Sequence, residues 1–196
     1  MEKQKVRISI DVEFLSSNVI SGECLQLAFV VFTENLENFI LDELSVCFLP
    51  QGKQQELSVV EFWSNNQEIL ERIHSESKPI HNQMQIVKEW LENVYNKYRV
   101  LEFVAEPGAV DLPWVRCLYF EHCSSSTFTF PYHCKCVSTM KGILINMGYS
   151  WDEIEEYLKT DIYVHTHYAL DDAKLTAFRF VKLLEFFRKI PKIDLV

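Results

Sequence analysis

The chain has 196 residues, of which 48% are hydrophobic and 24% are charged, and this size and mixture predict a single domain, residues 1–196, with a substantial core. Nineteen Lys and Arg against 28 Asp and Glu give a formal net charge of −9, which argues against a protein that holds long nucleic acid through a broad basic surface. With only 5 Gly, 6 Pro and no low-complexity tract, the composition excludes a collagen-like chain and argues against extensive disorder.

The N-terminal segment and the cysteines indicate the cellular compartment. Residues Met1–Arg7 mix charges and lack the apolar core of a signal peptide, and no apolar run approaches the ~20 residues of a membrane span. The six cysteines are scattered through a chain that is large enough to have a core, which favours reduced thiols over a disulfide framework. We therefore expect a soluble, cytoplasmic protein that does not interact with membranes.

The first half of the chain predicts three strands and then helices. Alternating or continuous apolar residues with many β-formers predict strands over Val6–Phe14, Cys24–Thr33 and Phe39–Leu49. Short connections between them indicate an antiparallel meander, which ends at the turn residues Pro50-Gln51-Gly52. Apolar residues at spacings of three and four then predict helices over Val59–His74 and Gln83–Tyr98.

The second half begins with a short strand and is mostly helical. Arg99–Ala105 predicts a strand, and Asp111 stands where an N-cap would precede a helix over Leu112–Cys123. The remaining predicted segments are a polar stretch at Ser124–Thr127, extended chain over Phe128–Thr139, and helices over Lys141–Met147, Trp151–Leu158 and Ala169–Lys189. This order predicts an α/β fold in which helices flank a mixed sheet, an antiparallel meander extended by parallel strands.

Asp11 and Glu13 are the first candidate site. Residues i and i+2 of a strand face the same side, so Ile8–Phe14 would hold these two carboxylates side by side, and such close like charges need a cation between them. Hard divalent ions such as Mg²⁺ prefer oxygen ligands of this kind. An isolated D-x-E is also compatible with two ordinary acids on a solvent-facing strand.

Two further acidic features follow at strand ends and helix starts. Asp111 comes after a strand and a Gly-containing turn, and the run H-Y-A-L-D-D-A places His167 shortly before Asp171 and Asp172. Each feature alone also fits a bland structural role, because acids in a first helical turn favour the helix dipole. Their joint occurrence in the order D-x-E, D, H-x-x-x-x-D is harder to explain without a shared site.

These motifs resemble those of the DnaQ-like exonucleases with the DEDDh signature, which have a ribonuclease-H-like fold. Asp11 and Glu13 match the first motif, Asp111 the second, and His167 with Asp172 the third, which is similar to that of oligoribonucleases. The resemblance extends from residue 8 to about residue 180. The stretch 60–67 (VEFWSNNQ) is also similar to a segment of a subgroup that contains phage exodeoxyribonucleases and small bacterial exoribonucleases.

The resemblance implies a metal-dependent 3′–5′ exonuclease that hydrolyses single-stranded RNA or DNA from the 3′ end to nucleoside 5′-monophosphates. In this interpretation the four acids Asp11, Glu13, Asp111 and Asp172 bind two divalent ions, Mg²⁺ or Mn²⁺. His167 is the general base, since its unperturbed pKa near ~6.5 suits proton transfer near neutral pH. His165 is a rival for this role, but its spacing to Asp172 is two residues too long for the motif.

The resemblance also implies a pocket for the 3′-terminal nucleotide, whose base stacks on apolar or aromatic side chains. Phe14, Leu15 and Trp63 are our candidates for its wall, and core packing is the competing interpretation, above all for Trp63. RNA or short oligoribonucleotides are slightly preferred over DNA as the predicted substrate, and an exodeoxyribonuclease is the alternative. Similar enzymes commonly form homodimers, so a homodimer is a further implication.

Two other classes of function stay open at this point. One is a catalytically inactive nucleic-acid-binding or assembly module on the same fold. The other is a zinc-dependent interaction domain, because soft ligands that Zn²⁺ accepts occur close together in the sequence. These ligands are His122, Cys123, His133, Cys134 and Cys136. Their spacing matches no known finger or ribbon, and buried thiols with surface histidines are the favoured interpretation.

Overall fold

The computed structural model describes residues 3–123, 128 and 130–190. Its strands are β1 (Lys5–Phe14), β2 (Cys24–Phe32), β3 (Ile40–Cys47), β4 (Arg99–Ala105) and β5 (Cys134–Cys136). Its α-helices are α1 (Leu57–Ser64), α2 (Gln67–Glu76), α3 (Ile80–Lys97), α4 (Gly108–His122), α5 (Val137–Asn146), α6 (Trp151–Leu158) and α7 (Ala169–Lys189). A single 3-10 turn, Leu36–Asn38, separates β2 from β3.

The strands form one mixed sheet in the order β3-β2-β1-β4-β5. The first three strands are antiparallel neighbours, whereas β4 pairs parallel to β1 and β5 pairs parallel to β4. The antiparallel meander and its parallel extension therefore confirm the predicted α/β class. Both parallel strands follow a helical crossover, as parallel pairing requires.

Helices cover both faces of the sheet. Side chains alternate between the two faces along each central strand, so apolar residues in both sets make both faces part of the core. Ile8 and Ile10 of β1 and Phe29 of β2 are fully buried on the face that packs against α3 and α4. Ala28 and Val30 of β2 point to the other face, where they contact the start of α7. β2 is buried along its whole length, so the core lies on both sides of the β1–β2 pair.

The predicted helix over Val59–His74 is two helices. The chain bends at Asn65 and Asn66, between α1 and α2. The side-chain amides of these residues donate to the backbone carbonyls of Glu61 and Phe62, at 3.1 and 2.9 Å. Local bonds of this kind compete with the helical backbone ladder, which explains why apolar periodicity alone predicted one continuous helix.

Three other boundaries differ from the predictions. Asp111 is not an N-cap, because α4 begins at Gly108 and the backbone N–H of Asp111 already bonds to the Pro107 carbonyl within the first turn. Among the described residues of the predicted extended segment Phe128–Thr139, the structure has the short strand β5, and α5 begins at Val137, whose side chain is fully buried. The predicted polar stretch 124–127 lies outside the described residues.

In the described part of the chain, none of the helices combines the length and apolarity that crossing a bilayer requires.

Candidate active site

Three of the predicted acids converge at one end of the sheet. Asp11 and Glu13 lie near the end of β1, on the face opposite Ile10 and therefore on the side that α7 covers. Asp172 lies in the first turn of α7. Each of the three offers a carboxylate oxygen, and these oxygens all lie within 4.8 Å of one another. The strand and the helix start thus build a compact acidic cluster.

Asp111 approaches the same cluster from the first turn of α4. Its side chain is buried, with 3% of the residue exposed, and Oδ2 has no hydrogen-bond partner among the described residues. A buried carboxylate oxygen without a partner is costly. A cation in the cluster would remove that cost, so the orphaned oxygen fits a metal ligand.

The pKa values of the cluster show the mutual repulsion of the carboxylates. Burial raises the pKa of Asp11 well above its ordinary value, and the charges of Asp111, Glu13 and Asp172 raise it further. Burial also raises the pKa of Glu13, followed by the charges of Asp172 and Asp111. The pKa of Asp111 is raised by burial first and then by Cys136. Carboxylates this close are an oxygen-rich site for a hard divalent cation.

The Asp172 carboxylate also organises the loop that carries the predicted base. Its Oδ1 accepts the backbone N–H of Thr166 at 2.8 Å, and its Oδ2 accepts the backbone N–H of His167 at 3.0 Å. His167 has a φ of 60°, in the left-handed region that non-glycine residues seldom occupy. The two hydrogen bonds hold the loop in this conformation and place the His167 side chain beside the acidic cluster.

The His167 ring lies between two other rings. It makes edge-to-face contacts with Phe62, at a centroid distance of 4.8 Å, and with His165, at 4.2 Å. Burial lowers the pKa of His167, and the neighbouring His165 lowers it further, against the opposing effect of Asp172. The His167 imidazole is therefore neutral at neutral pH, the form that accepts a proton.

His165 has the closer contact with the acidic cluster. Its Nδ1 lies 2.9 Å from Oδ2 of Asp172, although its side chain is 57% exposed. This hydrogen bond raises the pKa of His165. His165, His167 and Asp172 each offer a ligand atom within 4.8 Å of the others, so the structure brings both histidines to the same carboxylate.

Trp63, a candidate for the substrate wall, is buried in this structure. This residue is 1% exposed, and its indole N–H donates to the backbone carbonyl of Phe14 at 2.9 Å, so it is a core residue that fixes the end of β1. Leu15, the second candidate, is 8% exposed and packs in the same cluster as Trp63. Phe14 is half-buried and stacks on Trp114 at 6.0 Å between ring centroids.

Phe62 lies beside the candidate site, a placement that the sequence interpretation missed. It is 36% exposed and packs against both Trp63 and His167. It belongs to the same aromatic pair that the motif 60–67 had indicated, and the helical spacing of α1 exposes this member of the pair and buries the other. The sequence motif therefore indicated the pair Phe62 and Trp63, but it did not show which of the two side chains faces the core.

A group of charged residues next to the acids, built around the buried Lys141, was also missed. Lys141 is buried, with Nζ 2.7 Å from Glu106 and 2.9 Å from Glu155. Arg179 contacts the same two carboxylates at 3.3 and 3.5 Å. These four residues, with Asp11 and Asp172, line a cavity of about 340 Å³. The side chains of Lys141 and Arg179 thus neutralise Glu106 and Glu155, the two further acids that flank the cluster.

The predicted alternative zinc ligands point to different partners. Cys123 Sγ donates to the Met84 carbonyl at 3.3 Å, whereas Cys134 Sγ donates to the Gly108 carbonyl at 3.7 Å. Within residues 3–123, 128 and 130–190, the clusters with ligand atoms close enough to hold a metal are those built on Asp172, and none contains these cysteines. Cys123 is buried, whereas Cys134 and Cys136 are partly exposed.

No protein-family model matches the sequence, and no curated protein sequence matches it. Solved structures do match its backbone. Cell-death related nuclease 4 (CRN-4) superposes with a TM-score of 0.64 at 15% identity, over 94% of this chain and 65% of that one. The nuclease domain of 3′hExo, a DEDDh family member bound to rAMP, gives a TM-score of 0.62 at 15% identity and 96% coverage of both chains.

The zinc-bound complex of E. coli ExoI with single-stranded DNA gives a TM-score of 0.67 at 12% identity, over 95% of this chain and 41% of that one. The chain has the fold of these nucleases. It spans less than two thirds of the length of CRN-4 and of ExoI, and nearly the whole of the 3′hExo domain. The match therefore covers the region in which the acidic cluster lies.

Proposed function

We propose that the protein is a metal-dependent 3′–5′ exonuclease that acts on single-stranded nucleic acid. The observation that carries the proposal is the convergence of Asp11, Glu13 and Asp172 within 4.8 Å, with His167 at the same carboxylate. The buried Asp111 completes the ligand set. The fold that the chain shares with several nucleases supports this function.

Asp11, Glu13, Asp111 and Asp172 would hold two divalent cations, Mg²⁺ or Mn²⁺. Such ions neutralise charge on the scissile phosphate, stabilise the leaving 3′-oxygen and lower the pKa of the attacking water. The unpartnered Oδ2 of Asp111 and the raised pKa values of three of these acids fit this role. The bound cations also offset part of the net charge of −9 at the place where the substrate phosphate lies.

His167 takes the proton from the attacking water as general base. Its lowered pKa keeps the imidazole neutral, and the backbone N–H bond to Asp172 fixes its place in the loop. The Phe62 ring contacts the His167 imidazole and restricts its rotation. His165 holds Asp172 through a hydrogen bond and is a positioning residue in this arrangement.

Phe14 and Phe62 are our candidates for contact with the terminal base, because both are partly exposed near the acids. Stacking on such rings tolerates any base. We favour RNA or short oligoribonucleotides as the substrate, in line with the third motif and with the rAMP bound to the 3′hExo domain. DNA is the second candidate, which the single-stranded DNA bound by ExoI supports.

The test is to incubate the purified protein with 5′-labelled RNA and DNA strands in Mg²⁺, Mn²⁺ or EDTA. We expect a ladder that shortens from the 3′ end, prefers RNA and disappears in EDTA. The matched control is Asp11→Asn, which keeps the shape of the side chain and should abolish the ladder. If neither strand is degraded by the wild-type protein, the chain is an inactive binding or assembly module and the proposal is wrong.

A further inference from the structure

A second and larger cavity lies outside the acidic cluster. It has a volume of about 690 Å³ and is bounded by the outer face of α4 and by the segment 132–136. The α4 residues Ala109, Pro113, Arg116 and Phe120 line it at spacings of three and four, which is one face of the helix. Asp111 projects from the opposite face of the same helix into the buried acidic cluster. One helix thus connects the cavity to the proposed active site.

Arg116 is a cation without a carboxylate partner among the residues that the structure describes. Its guanidinium lies between two aromatic rings, with Cζ 5.8 Å from the centroid of Phe120 and 5.8 Å from that of Tyr132. By contrast, Arg7 and Arg179 each bond to glutamates. In a protein with a net charge of −9, Arg116 is therefore available to an anion from solution.

The two rings beside Arg116 are themselves exposed. Phe120 is 58% exposed and Tyr132 is 84% exposed. A positive group that tracks the backbone, combined with accessible aromatic faces, is the chemistry by which proteins hold single-stranded nucleic acid. Arginine is suited to it because its planar fork binds phosphate oxygens and stacks on rings.

The position of this group suits a strand whose 3′ end lies at the acids. Arg116 is five residues after Asp111 on α4, which corresponds to about 7.5 Å along the helix axis. Phe120 is one further turn away. The lining of the cavity runs along α4 from Gly108 and Ala109, at the start of the helix, to Phe120 near its end. A strand that leaves the cluster in this direction meets the guanidinium before the outer ring.

We propose that this cavity is the binding site for the nucleotides on the 5′ side of the two 3′-terminal ones. This inference rests on the proposed function and deepens it. A backbone phosphate of the single strand pairs with Arg116, and bases stack on Phe120 and Tyr132. An exonuclease substrate of two nucleotides leaves the site largely empty, whereas a longer strand fills it. The site accordingly favours longer strands through binding.

The experiment compares two 5′-labelled RNA substrates that share the same 3′ end, a dinucleotide and a ten-nucleotide strand, in Mg²⁺ or Mn²⁺. The variants are Arg116→Gln and Tyr132→Ala. We expect each variant to lower kcat/KM on the longer strand about tenfold, through KM, and to change the dinucleotide by less than about twofold, because stacking and phosphate contacts of this kind add only to the affinity of the longer substrate. Arg116→Lys should restore part of the loss.

Arg188→Gln is the matched control, since it also removes one exposed positive charge. Arg188 lies in the last turn of α7 and pairs with Glu34. We expect it to leave both substrates unchanged. If the wild type cleaves both lengths and the variants lose activity equally on both, or on neither, the cavity has another role, such as a protein-binding surface, and the inference is wrong. A wild-type protein that cleaves neither length contradicts the proposed function itself.

Discussion

His165 donates from Nδ1 to Oδ2 of Asp172 across 2.9 Å, whereas His167 reaches the same oxygen only through its backbone N–H. The two histidines therefore differ in what their rings can do. The His165 ring is engaged by a carboxylate, which raises its pKa, and the His167 ring is left without a hydrogen-bonded acid and has a lowered pKa. In the proposed mechanism, this difference fits proton transfer by His167 and positioning by His165.

We expect His167→Ala to lower kcat by roughly 10²- to 10⁴-fold, the usual contribution of a general base. Metal binding should persist, because the four acids are unchanged. His165→Ala should lower activity by a smaller factor, since it removes only one of three contacts of Asp172. Single-turnover rates and metal titration by calorimetry measure both effects. Equal losses in the two variants would contradict the division of roles.

The metal-free protein should lose stability as the pH rises from about 4 to 7. The pKa values of Asp11, Glu13 and Asp111 are raised in the folded state, so folding favours their protonated forms. That stabilisation is fully present below the ordinary carboxyl pKa of about 4 and is lost as the pH rises through the raised values. Thermal unfolding in EDTA across this pH range measures the loss.

Divalent cations should reverse this trend, since they bind the ionised cluster. We expect Mg²⁺ or Mn²⁺ to raise Tm at pH 7 and to have little effect near pH 4. Asp111→Asn provides the control: it removes one charge from the cluster, so the variant in EDTA at pH 7 should be more stable than the wild type while its metal-induced shift shrinks. A wild-type Tm independent of both pH and metal would exclude the proposed ligand set.

Phe62 and Trp63 are adjacent in sequence but should respond differently to substitution. Phe62→Ala removes the ring that contacts His167, and we expect about tenfold lower turnover with a change below about 1 kcal/mol in the free energy of unfolding. Trp63→Phe leaves the Phe14 carbonyl without its indole donor and should lower the unfolding free energy by about 1–3 kcal/mol. Urea denaturation and initial rates on the same preparations separate the two outcomes.

Lys141 should be essential for stability because of its two carboxylate partners. Its side chain is 4% exposed, and Glu106 and Glu155 are 15% and 30% exposed. Lys141→Met removes the closer cation from both carboxylates while Arg179 still contacts them, so the substitution should lower the unfolding free energy by about 1–3 kcal/mol. Adding Glu106→Gln and Glu155→Gln to that variant should recover much of the loss. A triple variant no more stable than Lys141→Met would show that charge balance is not the cause.

The acids at Asp11 and Glu13 could be predicted from the sequence because they depend on local geometry. Side chains two residues apart on a strand lie on the same face of the sheet. Asp172 reaches this face because it lies in the first turn of the helix that covers it. Residues whose place depends on distant contacts could not be predicted in the same way. Lys141 contacts Glu106, which lies 35 positions earlier in the sequence, and no local pattern relates them.

The orientation of side chains on α1 and in the loop before α7 was equally beyond the sequence. Neighbouring helix residues such as Phe62 and Trp63 project about 100° apart, and which of them faces the core depends on how α1 docks and where it ends. The contact of His165 with Asp172 depends on the left-handed backbone at His167 and on hydrogen bonds that span five or six residues. Motif spacing therefore identified one histidine and left the other without a role.

The backbone of His167 limits which amino acids this position can hold. Among side chains other than glycine, asparagine, aspartate and histidine adopt a φ near 60° most readily, whereas β-branched residues do so at considerable strain. Histidine is the member of that set with an unperturbed pKa near neutrality. The backbone conformation and the pKa are thus two independent requirements on the residue at this position, and histidine meets both.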